Sequence, residues 1–213
     1  MSMAHTAAGL VAHVKAQLGQ IYWYGTFGQA PTLDLLEQKR RQYPSYYTQA
    51  RVANCKTQIG KPGARVFDCA GLVKSYWMMD SPTAKPNYLA QYDKSAAMLK
   101  SCCGATGKIA TLPEEPGLLV FIDGTHVGVY VGGGRVVEAR GFSYGVVETR
   151  LKDRAWDAWG RLDWLEAGPP ETRTCPTCGQ ISYTTLQLTN RQYPITAGDA
   201  FDGIAGESAN GLA

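Results

Sequence analysis

Residues 126–141 read HVGVYVGGGRVVEARG, and this stretch decides the fold. Alternation along HVGVYV puts His126, Gly128 and Tyr130 on one face and three valines on the other, the period of a strand rather than a helix. Gly132–Gly134 is a natural hairpin turn, because glycine reaches the positive φ values that tight turns need. If Val131 pairs with Arg135, Gly128 faces Glu138 and His126 faces Arg140. His126 and Glu138 are then diagonal neighbours on one face, within reach of each other's side chains.

Further strands flank this hairpin. LLVFID (118–123), GVVETRL (145–151) and GRLDWLEA (160–167) are short, β-branched or aromatic, and separated by glycine-rich turns. Helices come before them. Residues 6–19 are amphipathic, with Thr6 as cap, Leu10, Val11, Val14 and Leu18 at helical spacing, and Gly19 as the stop. Residues 26–67 contain LDLLEQKRRQ and PSYYTQAR and predict short helices joined by loops; the KRR run reads as a solvated helix face. FDCAGLVKSYWMM (67–79) predicts a helix capped by Asp68, with Leu72, Val73, Tyr76 and Trp77 buried on one side. Helices followed by a meander of antiparallel strands make an α+β domain. GPPETRT (168–174) reads as a linker, which divides the chain into 1–167 and a short segment, 168–213.

Composition narrows the function. Over 213 residues the chain is 45% hydrophobic and 18% charged, ordinary for a globular protein with a core. A net charge of +3 gives no case for nucleic acid. No run of about 18 apolar residues exists, so no membrane insertion is expected. The N-terminus lacks the basic region, apolar run and cleavage site of a secretory signal. Six cysteines, Cys55, Cys69, Cys102, Cys103, Cys175 and Cys178, are too sparse for a disulfide framework. The three histidines are His5, His13 and His126; the first two read as surface residues.

Cys69 falls in the first turn of its helix, where free N–H groups and the helix dipole favour a thiolate. The plain alternative is a buried structural cysteine. His126 supplies a base, and a Glu138 carboxylate beside it can orient the imidazole and stabilise its protonated form. Together they have the composition of a Cys–His–acid triad.

The same residues carry a resemblance. FDCAGLV resembles the D-C-S/A-G-L/F-V nucleophile motif of the NlpC/P60 cell-wall peptidases, which have a papain-like fold. HVGVYVGGGRVVEARG is similar to that family's H-V-G-I-Y-x-G-x-G block, GQIYWYGTFG (19–28) to its G-x-P-Y-x-W-G-G segment, and PGLLVFI (116–122) to P-G-D-L-V-F-F. Four blocks in the same order cover roughly residues 8–166. The resemblance implies N-terminal helices on a mainly antiparallel sheet, Cys69 as nucleophile, His126 as base and Glu138 in the third position. It puts the family's active-site tyrosine on Tyr22, beside Asp68, and Arg140 could meet a stem-peptide carboxylate. The implied reaction is hydrolysis of peptidoglycan between D-γ-glutamate and the following diamino acid, with no cofactor. Glu138 departs from the usual His, Asn or Gln, Leu118 replaces an Asp, and the interval from Tyr22 to Cys69 is long.

GFSYGVVETRL and RAWDAWGRLDWLE resemble the endings of phage and prophage members. With no signal, this suggests an endolysin that accumulates in the cytoplasm and is released through a holin. The rival readings are a CHAP-type amidase and a non-catalytic wall-binding or phage-tail module. In the tail, TCPTCGQ holds half of a zinc knuckle; without a second pair, a reduced or disulfide-closed turn is the simpler reading, and Cys175 and Cys178 are weak metal candidates. Leu186–Gln187 and Asp202–Gly203 through Gly206 faintly resemble a truncated peptidoglycan-binding repeat.

Overall fold

Among the described residues, five helices start on the side chains that best satisfy free helix N–H groups. Thr6, Thr32, Thr48, Asp68 and Ser95 each accept a hydrogen bond from the backbone N–H three residues on. The helices are α1 (Ala7–Ala16), α2 (Leu33–Gln42), α3 (Gln49–Lys56), α4 (Cys69–Met78) and α5 (Ala96–Ser101). Strands β1 (Ile21–Tyr22), β2 (Phe27–Gln29) and β3 (Val66–Phe67) form a small sheet with β3 in the middle. The main sheet holds β4 (Cys103–Lys108), β5 (Leu119–Ile122), β6 (His126–Gly132), β7 (Arg135–Gly141), β8 (Gly145–Arg150) and β9 (Ala158–Leu162). The computed structural model describes residues 5–166 and two further strands, β10 (Thr172–Thr174) and β11 (Ile181–Tyr183). The chain divides into two units after residue 168.

The fold is α+β, as the element order predicts. All neighbours in the main sheet are antiparallel, in the order β4-β9-β5-β6-β7-β8. The meander therefore runs only from β5 to β8. Strand β9 returns to the far side of β5, and β4 (CGATGK), which has no strand-like pattern, pairs outside it. In the second unit β10 and β11 pair antiparallel, so Thr172–Thr174 is strand rather than linker. Cys175, Cys178, Leu186, Gln187, Asp202, Gly203 and Gly206 lie outside the described residues.

The core explains the strand pattern. Val127 and Val129 join the cluster that includes Leu10, Leu72, Val73, Leu119 and Phe121. Tyr130 packs on the opposite face with Leu118, Val120, Val136 and Trp156. The sheet is thus buried on both sides, and each such side chain contributes about 1.5–3 kcal/mol by leaving water. Helix α4 lies against β6, β7 and α1. It is buried almost all round: Leu72, Val73 and Trp77 are joined by Ala70, Gly71, Lys74 and Ser75, which corrects the one-sided helix.

The start of α4 is held by a close approach. A Cβ on Gly71 would fall 1.8 Å from the Thr26 carbonyl oxygen, so only glycine seats the helix there. The Asp68 N–H donates to that same oxygen at 3.0 Å.

His13 is not a surface residue. It is buried, with Nε2 2.8 Å from the Ser75 hydroxyl, and burial pushes its pKa down to about 4. His5 is half-buried and stacks on Trp77.

Candidate active site

The β6–β7 hairpin pairs Val129 with Val137 and Tyr130 with Val136, the register read from the sequence. At the turn it slips by one, so that Gly132 faces Arg135. Extending the register by one residue brings Gly128 opposite Glu138. Gly128 has no room for a side chain, since a Cβ would fall 2.6 Å from Val136 and 3.0 Å from Trp156. The diagonal contact is made: His126 Nε2 and Glu138 Oε2 are 2.7 Å apart.

Glu138 is fully buried and holds three partners. Besides His126, the Thr149 hydroxyl donates to Oε1 at 2.8 Å, and the Arg154 guanidinium forks onto both oxygens at 3.0 Å. Burial acts to raise its pKa, but the bonds from His126, Thr149 and Arg154 outweigh it and hold the carboxyl below its usual range. Trp156 stacks on the His126 ring at 5.6 Å and covers this cluster, with its own indole N–H buried and unpaired.

Sequence reading missed Thr149, Arg154 and Trp156. Thr149 had a signal: it pairs with Val136 on β8, on the Glu138 face. Arg154 and Trp156 follow β8 in irregular chain, where no period points inward.

Cys69 begins α4, half-buried, and its Sγ points to the Thr125 carbonyl oxygen at 3.9 Å. No hydrogen bond joins the thiol to the His126 ring. Burial pushes the Cys69 thiol up to about 12, with the Asp68 carboxylate adding to the effect. The N–H groups of Ala70, Val127 and Cys69 pull the other way and do not prevail. A free thiolate at the helix start, expected from the dipole, is therefore disfavoured at rest.

Asp68 is committed to the fold. Its Oδ1 accepts from the Gly71 N–H at 2.5 Å and its Oδ2 from the Gly25 N–H at 2.8 Å. Tyr22 is 8% exposed and pairs with Phe67 in the small sheet, beside Asp68 and Cys69. Burial raises the pKa of its hydroxyl, with Cys69 and Asp68 contributing. Arg140 occupies a bulge between Ala139 and Gly141, and its guanidinium lies 4.1 Å from the centre of the Tyr144 ring. It makes no polar contact with His126 or Glu138.

A groove of about 490 Å³ opens beside Cys69, walled by both its neighbours, Asp68 and Ala70, and by Lys39, Tyr43, Lys74 and Asp93. A second open depression of about 610 Å³ backs onto Arg154 and Trp156, away from the thiol. Among the described residues, no group of three or more His, Cys, Asp or Glu side chains is placed to hold a metal ion, and no helix is long and apolar enough to cross a membrane.

Comparison with known proteins adds the family. The NlpC/P60 family model matches residues 56–162, half of the chain. A probable endopeptidase p60 from Listeria grayi is 32% identical over 101 residues, covering 43% of this chain. That match spans only 18% of the relative's own length. Among solved structures, the peptidoglycan hydrolase RipB from Mycobacterium tuberculosis is 17% identical with a TM-score of 0.43, over 76% of this chain and 65% of that one. NlpC1 from Trichomonas vaginalis is 16% identical with a TM-score of 0.44, over 76% of this chain and 45% of that one.

Proposed function

The chain belongs to the NlpC/P60 family, and we propose that it is a cysteine peptidase that hydrolyses peptidoglycan stem peptides between D-γ-glutamate and the following diamino acid. The observation that carries this reading is the His126–Glu138–Arg154 cluster, buried where β6 begins, with the Cys69 sulfur against the adjoining backbone.

The chemistry follows from the charges. With Nε2 given to Glu138, Nδ1 is the ring nitrogen left to take the thiol proton. Because a lone thiolate is disfavoured, the proton leaves Cys69 as the sulfur attacks the amide carbon rather than beforehand. The Cys69 backbone N–H and the Tyr22 hydroxyl serve in this reading as donors to the developing oxyanion. His126 returns the proton to the departing amine, which leaves a thioester on Cys69. Water, deprotonated by the same ring, then releases the acyl group. Glu138 stays ionised throughout and balances the imidazolium. No step calls for a metal or an organic cofactor.

The finer setting is phage or prophage lysis, on the strength of the C-terminal blocks of the domain, with residues 168–213 as a short wall-contact segment. Digestion of purified sacculi followed by mass spectrometry of the fragments tests the bond. The expected products keep the sugar–peptide junction and end at D-glutamate; products freed at that junction would instead identify an amidase. Cys69→Ala should drop hydrolysis to background with the fold retained, since alanine suits a helix start. Full activity in that variant overturns the mechanism.

A further inference from the structure

We infer that the groove beside the start of α4 contains a carboxylate subsite whose receptor is the Lys39 ammonium, so that the substrate is recognised by an acidic group close to the bond Cys69 attacks. The peptide identity of that ligand rests on the peptidase reading above; the carboxylate chemistry rests on the groove itself.

Lys39 is only 7% exposed, yet it lines the groove. Its ammonium donates to the Gln42 side-chain oxygen at 3.0 Å and lies 5.9 Å from the Tyr43 ring centre. Among the described residues no carboxylate stands within ion-pair distance of it. An ammonium has three N–H donors, and one is used.

Lys94, at the groove's edge, is half-exposed and keeps its water, and the other charges of the groove are already matched. Lys74 pairs with Asp93, which also accepts from the Tyr88 hydroxyl. Both Asp68 oxygens are bound to backbone N–H groups. Lys39 is the buried cation left without a counter-charge, and a buried ion lacking one is costly unless a ligand supplies it.

The helix shows the same choice. Leu35, Leu36 and Lys39 form the buried face of α2, while Arg40 and Arg41 lie exposed. Methionine or leucine at position 39 would complete that apolar face. Burial lowers the Lys39 pKa and the Lys74 field adds to it, while the fields of Asp68 and Asp93 oppose the change. The α2 segment lies in the long interval between Tyr22 and Cys69, and this role gives that interval a use.

Calorimetry on the full-length Cys69→Ala protein provides the test. The ligands are an L-Ala-D-γ-Glu-diamino acid peptide in its acid form and two versions with one carboxylate each converted to carboxamide. The acid form should bind about 10- to 100-fold more tightly than one of the amides. Adding Lys39→Met or Lys39→Gln should bring that ratio to within about twofold. A ratio that survives both substitutions, or no binding of the acid form, overturns the subsite. Lys39→Met should melt at or above the parent temperature, because it removes a buried charge; a marked fall in both variants would make Lys39 structural and overturn the proposal. Wild-type protein is assayed on the same peptides. A peptide that binds with the expected ratio and is never cut overturns the peptidase reading and leaves the subsite standing.

Discussion

Two buried carboxylates serve the site, Asp68 next to Cys69 and Glu138 against His126, and their pKa values move in opposite directions although burial raises both. Asp68 is 9% exposed, meets two backbone N–H groups, and its pKa is raised, since burial outweighs the Lys74 field and those bonds. Glu138 is 0% exposed, meets His126, Thr149 and the Arg154 fork, and its pKa is lowered. The bonds from His126, Thr149 and Arg154 outweigh burial at Glu138, whereas two backbone N–H groups and the more distant lysine fields do not outweigh it at Asp68. On the groove side the acid serves as a clip. On the sheet side it is held ionised and can balance a proton arriving on the imidazole. One acid discourages the thiol's anion, and the other can stabilise the imidazolium formed when the thiol's proton leaves.

The sharpest way to break this contrast is to neutralise each acid in turn. Glu138→Gln leaves the Arg154 guanidinium, largely covered but edging an open depression, without its counter-charge. It should cost about 3–5 kcal/mol in urea unfolding. Adding Arg154→Met should recover part of that loss. A cost below about 1 kcal/mol for Glu138→Gln would mean that the fork is not an electrostatic anchor.

His13 extends the comparison to a buried group with one hydroxyl partner and no opposite charge. Its pKa falls from about 6.5 to about 4, so the unfolded chain binds the proton more readily. Stability attributable to His13 is complete above about pH 6.5 and is lost as pH falls toward 4, by about 3 kcal/mol in all. In His13→Leu the unfolding free energy should fall less across that window than in wild type. Parallel pH curves would show that His13 is not the titrating group.

The smallest effect concerns the acid that raises the thiol. Asp68→Asn keeps one capping oxygen but turns its NH2 group on the other backbone N–H, and should cost about 1–3 kcal/mol. It removes the carboxylate field on Cys69, so iodoacetamide labelling of that residue should move to lower pH. In wild type the labelling rate should be slow at neutrality and climb into strongly alkaline solution, following a thiol at about 12. A plateau reached below neutral pH would mean that a preformed thiolate exists.

The sequence disclosed what is periodic and local. Alternation and a triple-glycine turn set the β6–β7 register, and with it the His126–Glu138 contact, because one face had to be valine. Asp68 as a cap followed from its side chain and the apolar run after it. What escaped depends on residues far apart in the chain. His13 meets Ser75, 62 positions on, so nothing nearby marks it as buried. Arg154 and Trp156 enter the site from chain without a period. Strand β4 contains two glycines in six residues and forms because β9 offers an edge. The irregularities at Val131 and Arg140 alter register where alternation predicts none.

The clip at the start of α4 has a consequence for ancestry. Asp68 ties the Gly25 loop to the helix, and Gly71 admits the Thr26 carbonyl where any side chain would collide. Neither duty involves sulfur. A descendant that lost the thiol would still need both residues to keep its shape. In the D-C-x-G signature the aspartate and glycine therefore testify to descent, and only the cysteine between them speaks for activity.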